Sequence, residues 1–147
     1  MRLPWRLDRS EAGIQNSEFR TANGVASYES VVEVPSRIMP GVTFTIARMS
    51  FDRRVELMRR IRELARRAEF LAAGESAEDK MDAALVRAEI ERLYVAWGLR
   101  AVSGLVIDGQ AASPETLSRD APEGLFREAL AAVRETTGLN EDQRKNC

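Results

Sequence analysis

The stretch Phe51–Ala73, FDRRVELMRRIRELARRAEFLAA between Ser50 and Gly74, constrains the chain most. Leu57, Ile61, Leu64, Ala68 and Leu71 recur at four-three-four-three spacing, which lines one face of an α-helix. Met58, Ala65 and Ala72 widen that stripe, and Arg53, Arg60 and Arg67 fall seven apart on the other side. Ser50 is suited to the N-cap, Asp52 to the electropositive first turn, and Gly74 to a left-handed stop. Glu56 with Arg60 and Glu63 with Arg67 are pairs four apart, each worth about 0.2–0.5 kcal/mol on an exposed face.

A second helix follows after a short link, with Ser76 as cap and Asp79 three residues on. Val86, Ile90, Leu93 and Trp97 form one stripe and Met81, Leu85, Ala88 and Val95 another, so this helix is expected to be covered on two sides. The link is too short for anything but an antiparallel pair. A third long helix is predicted over about 121–137, where Phe126, Leu130, Val133 and Thr137 align beside Leu125 and Ala129 and Gly138 stops the run. Ser113-Pro114-Glu115 reads as an N-cap, an N1 proline and an acidic first turn for a short helical piece, and Asn140 can cap a last polar turn.

Before the first helix, Val31–Val34 and Val42–Ala47 are β candidates expected to pair as a hairpin, with Phe44 and Ile46 facing a helix. Residues 102–107 are a further candidate, broken by Gly104 and followed by the Asp108-Gly109 turn signal. Residues 1–30 show neither period: Trp5, Ile14, Phe19 and Tyr28 are scattered among polar residues, as in a disordered arm. The expectation is a mainly α fold: a compact three-helix bundle over 31–147, helices about 51–73, 77–97 and 121–137, a small β-hairpin packed on it, and a disordered arm at 1–30.

Composition narrows the chemistry. A chain of 147 residues with 44% hydrophobic content suits one domain and needs no disulfide or metal for stability. Its formal net charge of −1 lacks the basic excess of a nucleic-acid protein, so nucleic acid is disfavoured as a partner. One cysteine, Cys147, fits a reducing compartment, and no apolar leader or run long enough for a membrane helix occurs, so a cytoplasmic protein is expected. There is no histidine, which removes the commonest general base and transition-metal ligand. Phosphate-loop, dinucleotide and zinc-protease motifs are missing as well. No catalytic, metal or cofactor residues are assigned.

Two surfaces remain as candidates for a protein partner. Arg53, Arg60 and Arg67 form a line that interleaved Glu56 and Glu63 partly neutralise, which reads as a solvated helix face or a docking surface more readily than a phosphate site. Tyr94 and Trp97 close the second helix just before Leu99, Val102 and Leu105, either as a core cluster or as a groove for a partner helix. A second copy of the chain is left open as a partner.

Three segments, PGVTFTIARMSFDRRVEL, EIERLYVAWGLRAVSGLVIDGQAASPETL and the tail GLNEDQRKN, give the chain from about residue 34 onward a resemblance to phage or prophage tail assembly chaperones. The resemblance implies a small helical protein that coats the tape-measure protein during tail assembly, without catalysis. The alternatives are a structural head–tail or tail component and, third, a small DNA-binding regulator. Such chaperones are often made in two lengths by a ribosomal slip, and Arg144-Lys145-Asn146 can be encoded by a slippery heptamer. The gene's nucleotide sequence tests that directly.

Overall fold

A computed structural model describes residues 19–139. The expected last turn from Asn140, Arg144-Lys145-Asn146, Cys147, Trp5 and Ile14 lie outside the described residues. The chain divides into two units, Met1–Ser30 and Val31–Cys147.

In the first unit, β1 (Phe19–Ala22) pairs antiparallel with β2 (Val25–Tyr28), in register Phe19 opposite Tyr28. The expectation of a disordered arm therefore fails over 19–28. Two local features explain the hairpin. Asn23 and Gly24 both hold positive φ, at 54° and 75°, as a two-residue type I′ turn requires. Opposite each other at its open end, the rings of Phe19 and Tyr28 sit 5.4 Å apart. All eight strand residues are exposed.

The second unit carries β3 (Val31–Pro35), β4 (Thr43–Ala47), α1 (Phe51–Ala72), α2 (Ala77–Gly98), β5 (Leu99–Ser103), β6 (Val106–Ile107), β7 (Gln110–Ala111), α3 (Pro114–Asp120) and α4 (Glu123–Thr137). More than half of the described residues are helical, but the unit is not a plain three-helix bundle. Among its described residues it has four helices, and the expected hairpin is the edge of a three-stranded antiparallel sheet in the order β3-β4-β5.

Two glycines account for the difference. Gly98 lets α2 run directly into a strand while lying against α4: a Cβ there would stand 2.5 Å from Val133 Cγ1. Leu99 to Ser103 then pair with β4, so Phe44 has Val34 on one side and Val102 on the other. Gly104, at φ +76°, ends that strand where a Cβ would come 1.9 Å from the carbonyl oxygen of Gly41. The β candidate over 102–107 is divided at Gly104, as its break there suggests, between β5 and β6. Beyond Gly104, Asp108 and Gly109 take φ of 50° and 80° and close the small β6–β7 hairpin.

The caps are local and explicit. Ser50 and Ser76 accept from the amides of Arg53 and Asp79. Ser113 and Thr116 form a reciprocal capping box with Pro114 inside it, which is why a seven-residue helix persists. Gly138 ends α4 in the left-handed conformation. Gly74 is not left-handed: α1 ends through Ala73 in helical geometry, and Gly74 instead lies tight against Asp79, 2.4 Å from Oδ2 to where its Cβ would be.

The core joins β4 to α4 and to the C-terminal half of α2. Phe44, Ile46, Leu117, Leu125, Val42, Val95 and Val133 are its largest fully buried members, with Tyr94, Trp97, Leu99 and Leu130 around them. The α1–α2 hairpin is less well covered. On α1 only Leu57 and Ala68 are buried, and Ile61, Leu64 and Leu71 are half-buried. The second stripe of α2 is covered only towards its C-terminal end, where Val95 is buried; Met81, Leu85 and Ala88 are exposed.

Candidate functional site

The residues with the most unusual surroundings meet where the start of α1, the end of α2, β5 and α3 converge. An open groove of about 650 Å³ lies there. Arg53, Glu56 and Arg60 line it from α1, Arg92, Ala96 and Trp97 from α2, Leu99 and Arg100 from β5, and Pro114, Glu115, Ser118 and Arg119 from α3.

Its floor is a stacked pair. The Arg53 guanidinium lies over the Trp97 ring, 4.5 Å from the centroid, and donates to the carbonyl oxygen of Trp97 itself. A cation against an indole face is attractive, and more so when partly desolvated. Trp97 is 2% exposed, and neither its indole N–H nor Arg53 Nε has a hydrogen-bond partner among the described residues. Burial, and after it the charge of Arg100, pushes the Arg53 guanidinium below its usual value, while Glu56 acts the other way. Arginine nevertheless stays charged in a protein.

Glu56 bridges two arginines, at 3.3 Å from Arg53 and 2.6 Å from Arg60. Arg119 is drawn aside onto Asp120, at 2.8 Å. The side chains of Arg92 and Arg100 are exposed, and neither has a hydrogen-bond or ion-pair partner among the described residues. Five arginines thus face two glutamates, Glu56 and Glu115, around an aromatic floor. That arrangement suits an anionic group in contact with apolar surface.

Of the residues singled out from sequence, the structure brings Arg53, Arg60 and Trp97 together in the groove. Arg67 is exposed on α1 outside it and makes no bridge to Glu63. Tyr94 is buried, with the Arg134 guanidinium 5.5 Å from its ring centroid, and presents no docking surface. Arg92, Arg100 and Arg119 escaped sequence reasoning. Only Arg92 with Ala96, four apart on α2, gave a periodic hint; Arg100 and Arg119 join through β5 and α3, whose placement no local pattern encodes.

A second feature lies on the α1–α2 hairpin. Phe51, Met58 and Phe70 on α1 are 80%, 63% and 79% exposed, and Met81 and Leu85 on α2 are 69% and 62% exposed. Single exposed apolar residues are ordinary, but five large ones on one helical hairpin are a candidate contact surface.

Among the described residues no group of three or more histidine, cysteine, aspartate or glutamate side chains is placed to hold a metal ion. No helix among them is long and apolar enough to cross a membrane. No family model matches the chain, and no curated protein and no solved structure matches it either.

Proposed function

We propose that the protein is a non-enzymatic binding protein of the tail assembly chaperone type, acting in the cytoplasm on a long helical partner such as a tape-measure protein. One observation carries the reading: the α1–α2 hairpin leaves Phe51, Met58, Phe70, Met81 and Leu85 uncovered while the unit's own core closes elsewhere. Phe51 with Met58, seven apart, and Met81 with Leu85, four apart, stand at helical spacing, and such side chains flanked by charges are what a partner's amphipathic helix lies against. Flexible methionines tolerate imperfect complementarity along a repetitive partner.

The test is co-expression with a phage tape-measure protein. The two are expected to co-purify, with more of the partner remaining soluble. Failure on both counts overturns the reading. Retention of the protein in finished particles would point instead to a structural component.

A further inference from the structure

The groove lined by Arg92 and Arg100 concentrates cationic side chains. Five arginines line about 650 Å³; Glu56 and Asp120 engage three of them, and Arg92 and Arg100 are left without a partner among the described residues. Arg100 stands close enough to Arg53 for the two charges to disfavour each other. Gathering like charges is unfavourable, so an anion that enters between them recovers that repulsion as binding energy. A second observation lies in the lining: the Trp97 ring, stacked under Arg53, and the exposed Ala96 bring apolar surface beside these charges.

We propose that this groove binds a carboxylate-bearing segment of a protein partner, with Arg92 and Arg100 forking onto its aspartate or glutamate side chains and an apolar residue covering Ala96 and Pro114. This deepens the protein-partner reading above and rests on it only for the partner being a protein. A carboxylate is favoured over a nucleic-acid phosphate by the walls. Glu56 and Glu115 stand in the same groove, and a backbone with a charge at every residue meets both, whereas a peptide can space its acids away from them. The chain's net charge of −1 gives no long-range attraction to a polyanion.

A fluorescein-labelled peptide of glutamate and leucine at helical spacing is titrated against the full chain, read by fluorescence polarisation at low and high salt. Binding is expected, and Arg92→Glu with Arg100→Glu is expected to weaken it at least about tenfold, some 1.4 kcal/mol. The charge-matched control, Arg59→Glu with Arg66→Glu, places the same reversal on α1 outside the groove and is expected to leave affinity unchanged. In a Trp5→Phe background, where Trp97 is the sole tryptophan, its emission is expected to shift on peptide addition. Absence of binding to the wild-type chain, equal loss in the control variant, or tighter binding of a single-stranded oligonucleotide each overturns the assignment. Peptide binding without co-purification of the tape-measure protein removes only that partner; co-purification without peptide binding removes only the groove.

Discussion

Helix α4 buries six of its 15 residues, whereas α1, at 22 residues, buries two. Both are amphipathic, but their apolar faces meet different things. Leu125, Ala129, Leu130 and Val133 of α4 lie in the core with β4 and the end of α2. The α1 face meets chiefly one neighbour, α2, and leaves Met58 and Phe70 in solvent. Stability therefore resides around α4, and the hairpin is held mostly by its own two helices. A helix with a strong stripe need not be the one that anchors the fold.

The largest contrast is expected between equivalent truncations. Leu125→Ala removes a side chain that is 1% exposed and should cost about 2–5 kcal/mol, because a packed site collapses only partly around the void. Leu64→Ala on the half-buried face of α1 should cost about 1 kcal/mol, since much of its surface never left water. Urea unfolding midpoints decide it. Equal losses would mean that α1 is anchored as firmly as α4.

Glu128 gives the next effect, because it ties α4 to the loop between β3 and β4. Its carboxylate accepts from Ser36 Oγ, and from the amides of Arg37 and Ile38 at 2.7 and 3.4 Å. Burial pushes this carboxyl up, but the three hydrogen bonds and the charge of Arg37 outweigh it and hold it below the usual carboxylate range. A carboxyl with a lower folded than unfolded value contributes stability above its unfolded value, and that contribution is lost as pH falls through the folded one. Glu128→Gln should cost about 1.5 kcal/mol at neutral pH, the low end for hydrogen bonds to a charge, because the group is half-exposed. The difference between variant and wild type should shrink on acidification. A gap that stays constant down to acid pH would remove the charge from the explanation.

How legible all this was follows the same division. Both long helices begin where Ser50 and Ser76 predict, because a cap is a property of a few consecutive residues. The Asp108-Gly109 turn and the Ser113 cap were readable for the same reason. The third sheet strand was readable only as a β candidate from Val102; its start at Leu99 and its pairing with β4 were not, since they depend on Gly98 lying against Val133, a residue 35 positions away on another element. The exposure of Met81 and Leu85 was hidden too: periodicity says which residues share a face, not whether anything covers it. In the groove, Arg53 and Arg60 were visible as a line and Trp97 as an aromatic helix end, but the convergence of Arg92, Arg100 and Arg119 exists only in three dimensions.

Hydrogen exchange probes the contrast without any substitution. Amides of α1 and α2 near Gly74 should open at a lower free energy than those of α4, because fewer buried contacts must break. Uniform protection across the hairpin and α4 would make the unit one cooperative block and leave no independently loose display surface.

The smallest stability effect should accompany the largest functional one. Met58→Lys with Phe70→Ser changes two side chains already in solvent, so each should shift stability by no more than about 0.5 kcal/mol. If the hairpin is the partner surface, the same pair should abolish retention of a helical partner, because hot spots are large side chains that become desolvated only on binding. Pairing the unfolding curve with the co-purification assay separates the two roles. Loss of partner with an unchanged midpoint assigns these residues to recognition, while a lowered midpoint would mean that the exposed side chains support α1 after all and that the difference between α1 and α4 is one of degree.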